Sequence, residues 1–209
     1  MRLCPPLDPR AAARLHECFL LDVLEKASAV PDAKLVISYA PAGTRAFFRD
    51  AAPNAAEYLL RRGADMGEQM AHSFRRLCEP GRAVVIMGSD CPTLPALGLE
   101  LAFDALASGR VDVVFGPLSG GGCYLVGMAS AHPELFEDME WSASDVSEKG
   151  VERAARLGLG WYRLPEWYNV DHPTELACLK GELLKHPAAS PSARHTRKFL
   201  GYLAQSGLI

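Results

Sequence analysis

No two of the six cysteines are spaced Cys-x-x-Cys; they stand at 4, 18, 78, 91, 123 and 178, none beside a cluster of histidines. Neither a zinc site nor a redox pair is therefore written in the sequence, which reads as a reduced, cytoplasmic protein. Three of them (Cys18, Cys78 and Cys178) fall on expected helices, where small buried thiols are common. Long apolar runs are also lacking, and none approaches the roughly 20 residues that cross a bilayer. A signal peptide is not expected, because Met1-Arg2-Leu3-Cys4-Pro5-Pro6 leads straight into a charged amphipathic segment. A large excess of one charge sign is lacking too, with a formal net charge of −3, so nothing electrostatic calls for nucleic acid or an anionic membrane.

What is present suits one large domain, or one with an appendage: 209 residues, 49% hydrophobic and 22% charged. A chain of this size buries about 70% of the surface its unfolded form exposes and needs no covalent staples.

Apolar positions at Ala12, Leu15, Phe19, Leu20, Val23 and Leu24 recur with a helical period over 9–27, with Asp8 as N-cap and Pro9 at the first helical position. A short β-rich run, Leu35-Val36-Ile37-Ser38-Tyr39, ends in a turn at 40–43. A brief helix near 44–51, an extended piece near 56–61 and a helix at 66–78 follow. Residues 82–88 form a continuous apolar run, as in a parallel strand buried on both faces. A helix at about 95–108 and a strand at 111–116 complete a strand–helix–strand unit, whose crossover puts both carboxyl ends on one edge of the sheet. A third strand at 123–128 follows a glycine run; helices are expected at 132–138, 142–157 and 173–184, with a strand near 160–166. The Pro/Ala/Ser-rich stretch 186–192 reads as a linker to a last helix at 194–206. The division is thus a domain over 1–185 and a linker plus helix over 186–209. That last helix either docks on the domain or makes a homodimer contact.

Ligands of open α/β sheets bind beyond the carboxyl ends of the strands. Asp90, in Gly88-Ser89-Asp90-Cys91-Pro92-Thr93, lies two residues past such a strand. Its carboxylate could hold Mg²⁺ or Mn²⁺ against diphosphate oxygens, or could cap the helix at 95–108; both readings stand. Asp171, in Asn169-Val170-Asp171-His172-Pro173, is a second strand-end carboxylate, although taken alone an Asp before Pro at a helix start reads as a cap for the helix opening at Pro173. Two such loops on one sheet favour a shared divalent ion. The run Ser119-Gly120-Gly121-Gly122 would let Gly121 and Gly122 bring backbone close to a sugar or phosphate, or simply turn the chain. Asp65 with Glu68 reads as a capping-box variant that also aims a helix N-terminus. Ser142 reads as a cap, with Trp141 in the core or walling an acceptor pocket. His16, His72, His132 and His195 stand without sequence partners and read as surface or helix histidines. Cys91 has no histidine placed by sequence to activate it.

Taken in order, Gly-Ala-Asp-Met-Gly-Glu-Gln-Met (63–70), Gly-Ser-Asp-Cys-Pro-Thr-Leu (88–94), Gly-Pro-x-x-x-Gly-Gly-x-Tyr-x-x-Gly (116–127), Trp-Ser (141–142) and Val-Asp-x-Pro-x-x-Leu (170–176) carry a resemblance. The set resembles the bacterial GT-A-like glycosyltransferase family of the radical-SAM/selenodomain-associated type. That family lies within the nucleotide-diphospho-sugar transferases and is distantly related to molybdenum-cofactor and phospholactate nucleotidyltransferases. The resemblance covers residues 2 to about 184 and implies a three-layer α/β fold with a mostly parallel central sheet. It implies Asp90 as the metal and diphosphate carboxylate and Asp171 as a second metal-side carboxylate. It further implies contacts to a nucleotide-sugar or nucleoside triphosphate from Asp65, Ser89, Asp90, Gly121, Gly122, Trp141 and Ser142.

Two departures accompany it. Such proteins begin with a buried strand and a loop containing Lys-Thr-Arg-Leu; Met1-Arg2-Leu3 aligns with the end of that loop, so the first strand and most of the loop are expected to be missing, opening a gap in the sheet. In the glycine loop, Ser119 and Gly120 stand where the family carries an acidic residue and Asp, and Cys123 replaces an aromatic. The expected activity is metal-dependent glycosyl transfer from a nucleotide-diphospho-sugar. The alternatives are nucleotidyl transfer to a phosphorylated small molecule and a binding or scaffold protein of impaired chemistry. No residue is singled out as the general base.

Overall fold

Asp8 opens the first helix: its carboxylate accepts the backbone N–H groups of Arg10 and Ala11, and α1 runs Pro9–Ser28. The computed structural model describes residues 2–137, 139, 145–185 and 193–208. β1 (Val36–Tyr39), α2 (Arg45–Ala51) and β2 (Glu57–Leu60) follow, then α3 (Met66–Leu77), β3 (Val84–Met87) and α4 (Leu97–Ala107). β4 (Val113–Pro117) and β5 (Cys123–Met128) come next. The described chain closes with α5 (Val146–Arg156), β6 (Trp161–Arg163), α6 (Pro173–Lys185) and α7 (Arg194–Gln205).

Among the described residues the strands form two sheets. β1 and β2 pair in parallel, and the larger sheet has the order β3-β5-β4-β6. β3 and β4 are both antiparallel to β5, and β6 is parallel to β4. Three of these four strands therefore run one way and β5 alone runs back, in line with a mostly parallel α/β sheet.

The larger sheet alternates with a period of two, as a pleated strand must. Val113, Phe115, Val126 and Met128 pack towards Phe74 of α3 and Val146 and Ala154 of α5. Val114 and Leu125 face the other way, onto Leu99, Ala102 and Leu106 of α4. Helices thus cover both faces, giving three layers. A third cluster joins Leu15 and Phe19 of α1, Leu176, Leu179 and Leu183 of α6, and Leu200 and Leu203 of α7. The last helix is accordingly docked on the domain.

Several sequence expectations change. The run 82–88 is not a parallel strand buried on both faces: β3 ends its sheet, pairs only with antiparallel β5, and all four of its residues are half-buried. The reason is that β5 returns through a tight turn and inserts between β3 and β4. Where a helix is expected over 132–138, the described residues hold a 3-10 turn, Pro133–Phe136. Leu135 and Phe136 turn into the core there, with Phe136 stacked on Phe74 at 5.7 Å, and the chain leaves extended at Glu137. Cys178 is exposed because it lies on the outer side of α6, whereas Cys18 is buried.

Close helix–sheet approach depends on one glycine. A Cβ on Gly150 of α5 would lie 2.7 Å from the Phe115 ring. Gly150→Ala gains helix propensity but must push α5 off the sheet, and we expect a net loss of about 1–2 kcal/mol. Urea unfolding reads this directly; equal or greater stability in the alanine variant would show that the ring yields freely.

Candidate functional site

β3 and β4 run in the same direction, and the ladder aligns Met87 with Leu125 and Leu125 with Gly116. Their carboxyl ends therefore lie on one edge. Three loops meet along it: Gly88-Ser89-Asp90 after β3, the turn 118–122 between β4 and β5, and 164–172 after β6. Backbone hydrogen bonds bind them together, with Val170 N–H donating to Asp90 O (3.0 Å) and Ser119 N–H donating to Trp167 O (2.8 Å).

Asp90 folds back over Gly88, where a Cβ would sit 2.7 Å from its Oδ1. A side chain at 88 would have to displace that carboxylate. Asn169 lies between the two carboxylates. Its Nδ2 donates to Asp171 Oδ2 at 2.9 Å and to Asp90 Oδ2 at 3.4 Å. Arg2 also donates to Asp171 Oδ2, at 2.9 Å, from an exposed side chain. Burial pushes the Asp90 carboxyl above the usual carboxylate range; the nearby Asp171 pushes the same way, against hydrogen bonds from Asn169 and Cys91.

Neither aspartate is a helix cap. α4 begins after Ala96, which makes no side-chain cap bond. At α6, the His172 N–H is taken by Glu175 at 2.7 Å, the reciprocal arm of a capping box. Both carboxylates are thereby left for the loop edge. Ser89 is exposed on the same rim. Gly121 and Gly122 hold φ of 92° and 90°, which only glycine adopts readily, and Leu118 N–H to Gly122 O (3.1 Å) closes the turn. Asp65 caps α3 by accepting the Glu68 N–H, and Glu68 returns a bond to Ala64 N–H. Trp141 and Ser142 lie outside the described residues.

The Asp90 loop is anchored from beneath by a residue the sequence reading missed. Lys26, on α1 and 4% exposed, donates its ammonium to Pro92 O (2.5 Å) and Leu94 O (3.0 Å). Burial lowers its pKa to about 8, against the pull of Asp22 and Cys91. Cys91 is fully buried, and burial with neighbouring Asp90 raises its thiol far above the range of a nucleophile.

The histidines are not all without partners. His195 Nε2 lies 3.1 Å from Glu25 Oε1 and His132 Nδ1 lies 3.3 Å from Glu134. Asp22, Glu25 and His195 form a group whose ligand atoms lie within 4.8 Å of one another and could hold a metal ion, well removed in sequence from the Asp90 loop. Both Asp22 oxygens already accept backbone N–H groups of α7, and Glu25 engages Arg194. The spacing of Asp22 and Glu25 on one helix is the only trace of this group in the sequence.

A family model matches residues 23–143, more than half of the chain and including the Asp90 loop and the glycine turn. The chain belongs to that family, described as an uncharacterized protein conserved in bacteria (DUF2064). Solved structures place this DUF2064 member among sugar-nucleotide folds. A candidate nucleotide-diphospho-sugar transferase from Desulfovibrio desulfuricans G20 is 27% identical, with a TM-score of 0.80 over 96% of this chain and 90% of that one. CMP:2-keto-3-deoxy-manno-octonic acid synthetase, solved with CTP, shares the fold at 10% identity and TM-score 0.55, over 80% and 88% of the two chains. 4-Diphosphocytidyl-2C-methyl-D-erythritol synthase does so at 11% identity and TM-score 0.57, over 77% and 87%. No curated protein sequence matches the chain. This DUF2064 chain therefore has the nucleotide-diphospho-sugar transferase fold, and no helix among its described residues is long and apolar enough to cross a membrane.

Proposed function

We propose that this chain transfers a glycosyl group from a nucleotide-diphospho-sugar, using a divalent ion held by Asp90 and Asp171. The observation that carries the reading is the pairing of these two carboxylates across Asn169, on the strand-end edge where α/β sheets bind ligands. A half-buried carboxyl raised by burial and by a second carboxylate is a charge arrangement that a divalent cation relieves. The donor set is all oxygen, which suits Mg²⁺ or Mn²⁺ over softer metals. Such an ion, when bound, would neutralise charge developing on a departing diphosphate.

The chain's own residues do the placing. Gly88 lets the Asp90 carboxylate lie against the backbone, and Lys26 fixes the carbonyls that follow it. Asn169 holds the second carboxylate, and Arg2, exposed and flexible, can yield Asp171 Oδ2 to the ion. Ser89 and the turn glycines Gly121 and Gly122 share the edge and supply polar contacts for the nucleotide-sugar. The structures solved as a candidate nucleotide-diphospho-sugar transferase and as a synthetase with CTP support a nucleotide ligand of this class.

A thermal-shift series with UDP-, GDP-, CDP- and dTDP-sugars, with and without Mn²⁺, tests the reading. At least one donor is expected to raise Tm only when Mn²⁺ is present, by about 5–11 °C at a hundredfold excess over Kd. Asp90→Asn should lose most of the metal-dependent part while keeping the unliganded Tm. Metal-independent binding, or a full metal response in Asp90→Asn, would remove the proposed role. Release of pyrophosphate from a nucleoside triphosphate in place of nucleoside diphosphate from a sugar donor would reassign the reaction to nucleotidyl transfer.

A further inference from the structure

A row of side-chain hydrogen bonds joins the two loops that carry Asp90 and Asp171. Thr93, on the Asp90 loop and 3% exposed, accepts from the Trp167 indole N–H at 3.4 Å and donates its hydroxyl to the Tyr168 oxygen at 3.1 Å. Tyr168 in turn donates to Glu182 on α6. Each hydroxyl thus takes one bond and gives one, and the row runs in a single direction from an indole to a carboxylate. Ending on an anion strengthens the last bond and polarises those before it. Burial, and then Glu182, hold the Tyr168 phenol well above its usual range, so it stays a donor.

The backbone is tied on both sides of this row. Trp167 N–H donates to Pro117 O (3.1 Å), Val170 N–H to Asp90 O (3.0 Å), and Tyr124 OH to Pro165 O (3.0 Å). Between those ties, side chains place residues 168 and 169: Tyr168 against Thr93, and Asn169 against both carboxylates. On the other loop, Lys26 holds the carbonyls of Pro92 and Leu94, on either side of Thr93. The Thr93 hydroxyl therefore passes the anchorage supplied by Lys26 to the residue next to Asn169. If the row did no more than satisfy buried hydroxyls, cutting it would lower stability and leave the preference of the carboxylates among ions untouched.

We propose that Thr93 and Tyr168 are positioning residues that fix the spacing of Asp90 and Asp171 before an ion arrives, and thereby select a small divalent ion over a large one. Mg²⁺ demands near-ideal octahedral geometry and short bonds, whereas Ca²⁺ accepts longer bonds and irregular coordination. A fixed spacing that suits the smaller ion discriminates against the larger one, and loosened loops lose that discrimination. Partners outside the ligands themselves commonly govern metal affinity in this way. The inference rests on the reading of Asp90 and Asp171 as the ligands of the ion, and adds what sets the preference among ions.

The test measures Mn²⁺ binding to the full chain by its electron paramagnetic resonance signal, with Mg²⁺ and Ca²⁺ as competitors and Asp90→Asn marking the part that belongs to the site. Thr93→Val removes the hydroxyl while keeping the branched shape, and Tyr168→Phe cuts the row one step further on. Each is expected to weaken Asp90-dependent Mn²⁺ binding by about tenfold. Each should also lower the preference for Mg²⁺ over Ca²⁺ by about threefold or more. Thr93→Ser, which restores the hydroxyl, should stay within about twofold of wild type on both counts. If Thr93→Val does not fold, Tyr168→Phe alone decides. An unchanged Mg²⁺ to Ca²⁺ preference in either folded variant overturns the inference, as does a serine variant that behaves like the valine one. Either result leaves the transferase reading standing. A wild-type chain with no Asp90-dependent Mn²⁺ binding removes the ligand assignment itself, and the inference with it.

Discussion

Asp22→Ala is expected to destabilise the chain by about 3–4 kcal/mol, more than most single substitutions outside the aromatic core. Asp22 is fully buried, and its two oxygens accept the His195 and Thr196 N–H groups at 2.9 Å each. These are first-turn donors of α7, whose own N-cap residue, Ala193, offers no side chain to satisfy them. Truncation orphans two N–H groups, at roughly 1–3 kcal/mol apiece when buried. It also strips Lys26, one turn further along α1, of the carboxylate that most favours its charged form. Urea unfolding monitored by circular dichroism gives the total. A loss below about 1 kcal/mol would mean that water replaces the carboxylate and that α1 does not cap α7 in this way.

The second large effect is a dependence on pH. Lys26 titrates at about 8 in the folded chain against a reference of 10.5, because burial disfavours its charged form. Between those values the unfolded chain holds a proton that the folded chain has released. Stability from this group therefore rises with pH across the window, and is at its lowest below pH 8. The full span is about 3 kcal/mol by the usual conversion. Buried cysteines and tyrosines titrate nearby with the opposite sign, since Cys123 and Tyr124 are both raised to about 12. The useful quantity is thus the difference between wild type and Lys26→Met, measured from pH 7 to 10.5. That difference should climb in favour of wild type as pH rises. A flat or descending difference would show that Lys26 is hydrated in solution and not clamped on Pro92 and Leu94. A neutral amine still donates to both carbonyls, so the Asp90 loop should hold its place throughout.

Both residues show where sequence reading stops. A lysine on an amphipathic helix ordinarily lies in water, and nothing near position 26 announces two carbonyls waiting from residues 92 and 94. Asp22 and His195 stand at opposite ends of the chain and meet only when α7 docks. Asn169 was visible beside Asp171, but its bridge to Asp90 depends on how two loops register across the sheet edge. By contrast, the strands at 84–87, 113–117 and 123–128 were legible as apolar runs, and the helix at Pro9 was legible from its Asp8 cap. That Asp90 and Asp171 share an edge followed from their positions after strands. The reversed direction of β5 had a signal that went unused: five residues between Pro117 and Cys123 suffice for a hairpin, whereas a parallel crossover needs a dozen or more. The exposure of Cys178 shows the limit of residue-type averages, because a helix face is chosen by its neighbours, here Leu176, Leu179 and Leu183.

That short turn also orders the entropy of assembling the sheet. Closing a loop costs more as the loop lengthens. β4 and β5 meet across the turn at Gly121 and Gly122, whereas Met87 must find Leu125 and Phe115 must find Arg163 over much longer stretches of chain. One hairpin is thus the local template of a sheet whose other pairings are remote, and both of its edges are apolar strands awaiting partners. The glycines that the sequence offers as a ligand loop thus fix the reversal that gives β3 and β6 an edge to join.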